Sequence, residues 1–181
     1  MKFKHLLLSA AIPAGLTMAM PSAIAQTVID ADRTDPVVTS TAGTNGTPDD
    51  VEINSGVNIS PTAGTAVTVD SDNSVTMGGN INMDDIDDVV GVDLQGGNTG
   101  DFLSSGTISM IEDFTGTDTD GDNVIDGDFA RGTGKTGILI SGASPFAGNI
   151  GMQTTARISV EGQNSYGIRI ENAAGLTGNI N

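Results

Sequence analysis

Short pairs of apolar residues recur along this chain, with one residue between the two members of each pair. Most of these middle residues are polar, so in a β-strand the pair would face one side and the middle residue the other. Clusters of Gly, Asn, Ser and Asp separate the pairs and favour turns. The pattern therefore predicts many short strands. The pairs span Val57–Ile59, Val67–Val69, Val75–Met77, Ile81–Met83, Val92–Leu94, Ile108–Met110, Ile138–Ile140, Ile150–Met152, Ile158–Val160 and Ile168–Ile170.

The pairs also recur in a fixed order. Gly137–Ile140 is followed by Gly148–Ile150, and the same two elements return with the same separation as Gly167–Ile170 and Gly178–Ile180. A random acidic sequence rarely repeats both a pattern and its spacing. The recurrence therefore indicates a repeat protein, in which each unit buries its apolar face against the next.

The fold class that these features predict is all-β, a parallel β-helix (β-solenoid) with coils of about 25–30 residues. Each coil would contribute two or three short strands, and equivalent Val and Ile side chains would form inward columns. A β-sandwich of short strands is one alternative, although it does not account for the ordered recurrence. A disordered acidic chain is another, because large side chains are scarce.

Changes in the pattern divide the chain. Residues 1–25 form a signal peptide, and residues 26–50 have little pattern and are assigned to a leader or N-terminal cap. Residues 51–181 form the repeat, interrupted by a polar acidic loop at residues 112–135 that we interpret as an insertion between coils. The repeat runs to Asn181 without a polar final coil, so we expect the natural protein to continue beyond this residue.

The first residues have the three parts of a secretory signal. Lys2 and Lys4 supply positive charge, residues 6–20 are largely apolar, and small residues precede a cleavage site between Ala25 and Gln26. An uncleaved anchor is the alternative, but a membrane span needs about 20 apolar residues. The sequence therefore predicts an exported protein, at the cell surface or outer membrane of a Gram-negative bacterium or secreted.

Removal of the signal narrows the available chemistry. The only histidine, His5, leaves with it, and the chain has no Cys and no Trp. Triads built on histidine and zinc sites built on His or Cys are therefore excluded from the exported part. All 23 acidic residues follow Ala25, whereas only five of the seven basic residues do, so the exported net charge is −18. Such a surface repels nucleic acid and attracts divalent cations, and we expect no nucleic-acid partner.

The Ala23–Ala25 cleavage pattern, the repeats of the Gly-Ile-x-Ile and Gly-Asn-Ile type and the absence of Cys together resemble the N-terminal part of a bacterial autotransporter passenger, of the type V secretion class. The resemblance covers most of the exported chain and implies a right-handed parallel β-helix at the surface of a Gram-negative bacterium. It also implies a C-terminal outer-membrane β-barrel in cis, which this sequence lacks.

The densest acidic cluster lies in the predicted insertion. Asp118, Asp120, Asp122 and Asp126 occupy the first, third, fifth and ninth positions of an EF-hand-like loop, and the Val124 carbonyl falls at the seventh. The segment resembles the calcium loops of thrombospondin type 3 and dockerin repeats. Alternating carboxylates in a tight loop can converge on one hard cation, so these residues predict a calcium site.

Two positions depart from that loop pattern. Asn123 replaces the usual glycine at the sixth position, which Asn tolerates because it adopts the left-handed conformation. Phe129 stands at the twelfth position, where a bidentate Glu is expected, so Asp128 is the remaining candidate ligand. Without a bidentate ligand we expect modest affinity, and a solvated acidic loop without an ion is the alternative.

Two further segments are interpreted as turns. The run from Asp84 to Asp88 lacks alternating spacing and predicts a solvated turn beside Met83. Residues 132–137 resemble a phosphate-binding loop only faintly, because Phe129 stands where the first glycine of that motif would be. We therefore interpret them as a glycine-rich turn leading into the strand at Ile138.

The function that this sequence favours is a non-catalytic, exported surface passenger, a stalk or adhesin-like segment whose partner is a host or neighbouring cell surface. One alternative is a carbohydrate-active β-helix enzyme, in which Arg157 and Arg169 would contact substrate. Their pairing with Glu161 and Glu171 is the simpler interpretation. Another alternative is a soluble calcium-binding exoprotein.

Overall fold

The computed structural model describes residues 26–127, 131–171 and 175–181, and these residues form an all-β structure. Two short 3-10 helices at Thr39–Thr41 and Thr44–Gly46 are the only helical segments among them, and no helix there is long and apolar enough to cross a bilayer. The predicted signal peptide and Ala25 lie outside the described residues. The strands are β1 (Thr27–Ile29), β2 (Val37–Val38), β3 (Val51–Ile53), β4 (Asn58–Ile59), β5 (Thr65–Val69), β6 (Val75–Met77), β7 (Asn80–Asn82), β8 (Val90–Gln95), β9 (Phe102–Ser104), β10 (Thr107–Met110), β11 (Thr136–Ser141), β12 (Ile150–Met152), β13 (Arg157–Val160) and β14 (Tyr166–Ile170).

These strands form three sheets, and every strand pairing in them is parallel. Sheet 1 has the order β1-β3-β6-β9-β12, sheet 2 the order β4-β7-β10-β13, and sheet 3 the order β2-β5-β8-β11-β14. From β3 onwards the chain visits sheets 1, 2 and 3 in turn and then returns to sheet 1. We call one such passage a circuit. The β-sandwich alternative is wrong, because that fold pairs its strands antiparallel.

The register aligns equivalent residues of successive circuits. In sheet 3, Val67 pairs with Val92, which pairs with Ile138, which pairs with Ile168. The first three side chains are fully buried, whereas Ile168 in the last strand of the sheet is 38% exposed. Apart from the pair in β14, the apolar pairs of the sequence therefore point inward and build one continuous core, as the alternation predicts.

Residues 26–50, which the sequence pattern assigns to a leader or cap, contribute to two of the sheets. Strand β1 pairs with β3 in sheet 1, and β2 pairs with β5 in sheet 3. Between them, Arg33 forms an isolated parallel bridge with Ile59 of β4. This segment therefore makes the first set of contacts with the circuit that begins at Val51.

Polar side chains in the turns bond to the backbone of the neighbouring circuit. The Ser74 N–H donates to Asp50 Oδ1 (2.8 Å), and the Asn73 side-chain amide donates to the same oxygen (3.3 Å). The Thr99 N–H donates to Asp72 Oδ1 (3.0 Å), and the Asn149 N–H donates to Asp101 Oδ1 (2.7 Å). Acidic turn residues thus satisfy backbone donors that the short strands leave unpaired.

Glycine is required where adjacent circuits pass closest. A Cβ atom at Gly106, at the turn before β10, would collide with the carbonyl oxygen of Gly79 in the preceding circuit. At Gly167 in β14, by contrast, a Cβ atom would meet nothing within 4 Å. The first glycine is needed for stacking, and the second is not.

Candidate functional site in the inserted loop

The connection between β10 and β11 is much longer than its equivalents. It covers residues 111–135, whereas the connections from sheet 2 to sheet 3 in the neighbouring circuits cover residues 83–89 and 161–165. Since β10 and β11 keep their register with the strands on both sides, the extra residues form an excursion from the sheets. We call residues 111–135 the inserted loop.

Both arms of the inserted loop are fastened to the preceding circuit by carboxylates. The Ile111 N–H donates to Asp84 Oδ1 (2.8 Å) and the Thr133 N–H donates to Asp87 Oδ1 (2.7 Å). Asp85 Oδ1 accepts from the N–H of Asp113 (2.7 Å). The run from Asp84 to Asp88 is therefore a turn, as its composition predicts, but its carboxylates also hold the base of the loop.

A buried ion pair joins the two ends of the loop. The side chain of Lys135 is 0% exposed and its Nζ contacts Glu112 Oε1, while that of Glu112 is 16% exposed. The carbonyl oxygens of Met110 and Ile111 lie 3.4 Å from the same Nζ. In addition, the Glu112 N–H donates to Glu161 Oε2 in the following circuit (2.9 Å).

Three acidic side chains converge near the tip of the loop. One carboxylate oxygen from each of Asp118, Asp120 and Asp126 lies within 4.8 Å of the other two. An antiparallel bridge between Thr117 and Asp126 brings the two arms of the tip together, with the Asp126 N–H donating to the Thr117 carbonyl (2.7 Å). We call these three residues the acidic triad.

Local hydrogen bonds fix the first carboxylate of the triad. Asp118 Oδ1 accepts from the N–H of Gly121 (2.7 Å), and its Oδ2 accepts from the N–H of Asn123 (2.9 Å). Gly121 has φ +78° and Asn123 has φ +65°, so the chain turns back through two left-handed residues. Asn123 thus occupies the conformation that Asn tolerates in place of glycine.

Of the other predicted ligands, Asp122 has a different contact. Asp122 is not part of the triad, and its Oδ1 accepts from the Val124 N–H (2.7 Å), which closes the turn. Asp128 lies outside the described residues. The structure therefore brings together three of the predicted carboxylates. An all-carboxylate donor set with space for further oxygens suits a hard divalent cation such as calcium.

A cleft of about 370 Å³ opens beside the base of the loop. Its lining is polar apart from one aromatic ring, and it includes the Arg131 guanidinium, which forms no ion pair with the described residues. The lining residues are Glu112, Asp113, Phe114, Thr115, Thr117 and Arg131.

Neither the phosphate-loop-like segment nor Arg169, two other candidates from the sequence, is free of contacts with acidic side chains. In the phosphate-loop-like segment, the Asp88 carboxylate lies against Gly134, and a carboxylate in that place would repel a phosphate. In β14, Arg169 pairs with Glu171 (2.6 Å), as predicted, and its guanidinium lies 4.9 Å from the centre of the Tyr166 ring.

Sequence reasoning missed the pair of Lys135 and Glu112. Lys135 lies in a glycine-rich segment that we interpreted as a turn, and Glu112 marks the first residue of the predicted insertion. One feature of the sequence could have indicated a buried lysine. Lys135 directly precedes the strand at residues 136–141, and the chain has few basic residues.

Comparison of this chain with protein-family models, with curated proteins and with solved structures found no match. Its function must therefore be argued from its own residues.

Proposed function

We propose that this chain is a parallel β-helix and that it serves as a non-catalytic surface passenger of the autotransporter type, acting as a stalk or adhesin-like segment. The observation that carries the proposal is the parallel, in-register pairing of strands that the chain visits in rotation. In sheet 1, Val51 pairs with Val75 and Val75 pairs with Phe102, so these two circuits are of similar length. The next partner, Ile150, lies much farther along the chain from Phe102, because that circuit includes the inserted loop.

A rod of this kind suits a spacer function. Adjacent strands in a sheet lie about 4.8 Å apart, so the five strands of sheet 1 extend over roughly 20 Å along the stacking direction. The rod is built from repeated contacts between neighbouring circuits, so its length can grow without redesign of the core. Its outer face carries polar and acidic side chains, which favours solubility outside the cell.

Export is supported by the sequence of residues 1–25 and by the composition of the remainder. The exported part has no Cys and no His, and its net charge is −18. It therefore needs neither disulfide formation nor a histidine-bound metal to fold after crossing a membrane. The partner that we propose is a cell surface, either of a host or of a neighbouring bacterium.

Calcium is the proposed cofactor, and the acidic triad would hold it. The role of the ion would be to fix the tip of the inserted loop, because three converging carboxylates repel one another without a cation. Asp118, Asp120 and Asp126 would supply the side-chain oxygens. Water would complete the coordination shell of six to eight oxygens.

Export is tested in a Gram-negative host. The full chain is produced, its compartment is determined by fractionation, and its N-terminus is sequenced. We expect a periplasmic or external product that begins at Gln26. A variant with Ala25→Lys should stay uncleaved, because signal peptidase requires a small residue there. Retention of wild-type protein in the cytoplasm with residues 1–25 intact would contradict the proposal.

Calcium binding is tested by calorimetric titration of the exported protein. We expect heat from a single site for the wild type and its loss in Asp118→Asn. Asp30→Asn makes the same charge change at an exposed residue outside the loop and should titrate like the wild type. Absence of heat at millimolar calcium would refute the metal proposal while leaving the rod and its export untouched.

A further inference from the structure

Lys135 is the only charged residue among the described residues that is fully buried. A buried ammonium group is costly unless it is paired and hydrogen-bonded. Here three acceptors match the three N–H donors of Lys135, namely the carbonyl oxygens of Met110 and Ile111 at 3.4 Å and the carboxylate of Glu112. The pair lies under the base of the inserted loop, where one face is the core and the other is the loop itself.

The two side chains are positioned by the ends of two paired strands rather than by flexible surface segments. The β10 strand ends at Met110 and fixes Glu112 two residues later, while β11 begins at Thr136 and fixes Lys135 one residue earlier. The backbone N–H of Lys135 also donates to Ser165 Oγ (3.1 Å). Effective concentrations of two groups held by rigid elements can reach about 10⁵–10⁸ M when the reacting atoms are aligned.

A second carboxylate stands beside this pair. A Cβ atom at Gly132 would lie 3.0 Å from Asp87 Oδ1 and would also collide with Glu112 Oε1, so both carboxylates approach the same face of that glycine. Asp87 is exposed and is fixed by the Thr133 N–H at 2.7 Å. It is therefore an exposed carboxylate close to that of Glu112.

We propose that Lys135 and Glu112 form an intramolecular amide cross-link. Transfer of a proton from Lys135 Nζ to the Glu112 carboxylate that it contacts gives the amine and acid that amide formation requires. The Lys135 nitrogen then attacks the Glu112 carboxyl carbon, and a second proton passes from the nitrogen to the departing oxygen, a transfer that we assign to Asp87 because its carboxylate lies near that of Glu112. One C–N bond forms and one C–O bond breaks. Two hydrogens from the ammonium group leave with one carboxylate oxygen as water, so no oxidant or other reagent is needed.

The cross-link closes the inserted loop at its base. The bond joins residues 112 and 135, and it removes loop-closure entropy from the unfolded chain in the same way as a disulfide. This chain has no Cys, so a disulfide cannot supply that closure. An exposed loop on an exported rod is a preferred place for proteolysis. If a protease cuts the tip of the loop, the cross-link between residues 112 and 135 keeps the two ends of the loop joined.

The test is mass spectrometry of the wild-type chain, whose N-terminus is first determined so that its expected mass is known. The intact mass should be lower than the sequence mass by one water molecule. Trypsin cleaves after Arg33, Arg131 and Arg157, so the cross-link should join peptide 34–131 to peptide 132–157, with Lys135 uncut. Lys135→Arg keeps the charge but cannot form the bond, and it should show the full sequence mass.

Wild-type protein of full mass that yields separate peptides 132–135 and 136–157 would overturn the proposal. Loss of water without joined peptides would overturn it as well, because it would indicate cyclisation at Asp120-Gly121 or Asp126-Gly127. Asp87→Asn should slow appearance of the joined peptide by tenfold or more, on the order expected for loss of a proton-transfer group. An unchanged rate would remove Asp87 from the mechanism. These measurements do not depend on export or on calcium binding.

Discussion

Ile138 and Ile168 offer a matched test of the inward columns. They are the same residue type, they pair in register in adjacent strands of sheet 3, and each lies third from the start of its strand. Ile138 is 0% exposed with a strand on each side, whereas Ile168 is 38% exposed in the last strand of the sheet. Replacement of each by alanine removes the same atoms from two different environments.

The expected losses follow from burial. Truncation of Ile to Ala removes three carbon groups, which at about 0.8 kcal/mol each amounts to roughly 2.4 kcal/mol of transfer free energy. At Ile138 a cavity term adds to this, for a total of about 3–4 kcal/mol. At Ile168 about 60% of the transfer term applies and no closed cavity forms, so the loss is about 1.5 kcal/mol.

The assay is equilibrium unfolding in urea, followed by far-ultraviolet circular dichroism for the whole chain. Fluorescence of Tyr166, the only tyrosine, reports on β14. We expect Ile138→Ala to shift both transitions together, because it lies between circuits. Ile168→Ala should shift the Tyr166 transition more than the global one, since the last strand can open alone. Equal losses for the two variants, within about 0.5 kcal/mol, would refute the inward columns.

Three further substitutions, two of them each with a matched control substitution, test individual contacts by urea unfolding. Gly106→Ala should cost about 1–3 kcal/mol because its methyl group collides with a carbonyl oxygen, whereas Gly167→Ala should change stability by less than about 0.5 kcal/mol. Ser104→Ala should raise the unfolding free energy by about 1 kcal/mol, since the buried hydroxyl has no hydrogen-bond partner among the described residues, and a loss would contradict this. Asp50→Ala should lower the unfolding free energy by about 1–2 kcal/mol, because two hydrogen bonds to Asp50 are lost. The control Asp30→Ala should leave it unchanged, and equal losses for the two variants would argue against the turn contacts.

Much of the strand structure could be predicted from the sequence. Alternation of apolar and polar residues is a local property, because successive side chains of a strand face opposite sides whatever the strand packs against. For that reason Val75 and Met77, or Ile138 and Ile140, were identified as core residues without a structure, and they are fully buried. The left-handed turn at Asn123 followed from local steric preference in the same way.

Contacts between circuits depend on strand register and on circuit length, and the local pattern of apolar and polar residues specifies neither. Ser104 occupies an inward position, paired with Met77 and Met152, because the register of β9 places it there. Asp85 and Asp87 reach the arms of the inserted loop only because the preceding circuit ends its turn beneath them. Circuit length sets these pairings, and it changes along the chain.

The sequence by itself determined the strands, the inward-facing residues and the acidic cluster, since each follows from spacing over a few residues. Only the tertiary structure decided that Lys135 is buried against Glu112, because these residues lie 23 positions apart and meet through the stacking of β10 and β11 on their neighbours. Burial is a property of what the rest of the chain places around a side chain. A lysine in a glycine-rich segment has the same local sequence whether it is solvated or enclosed.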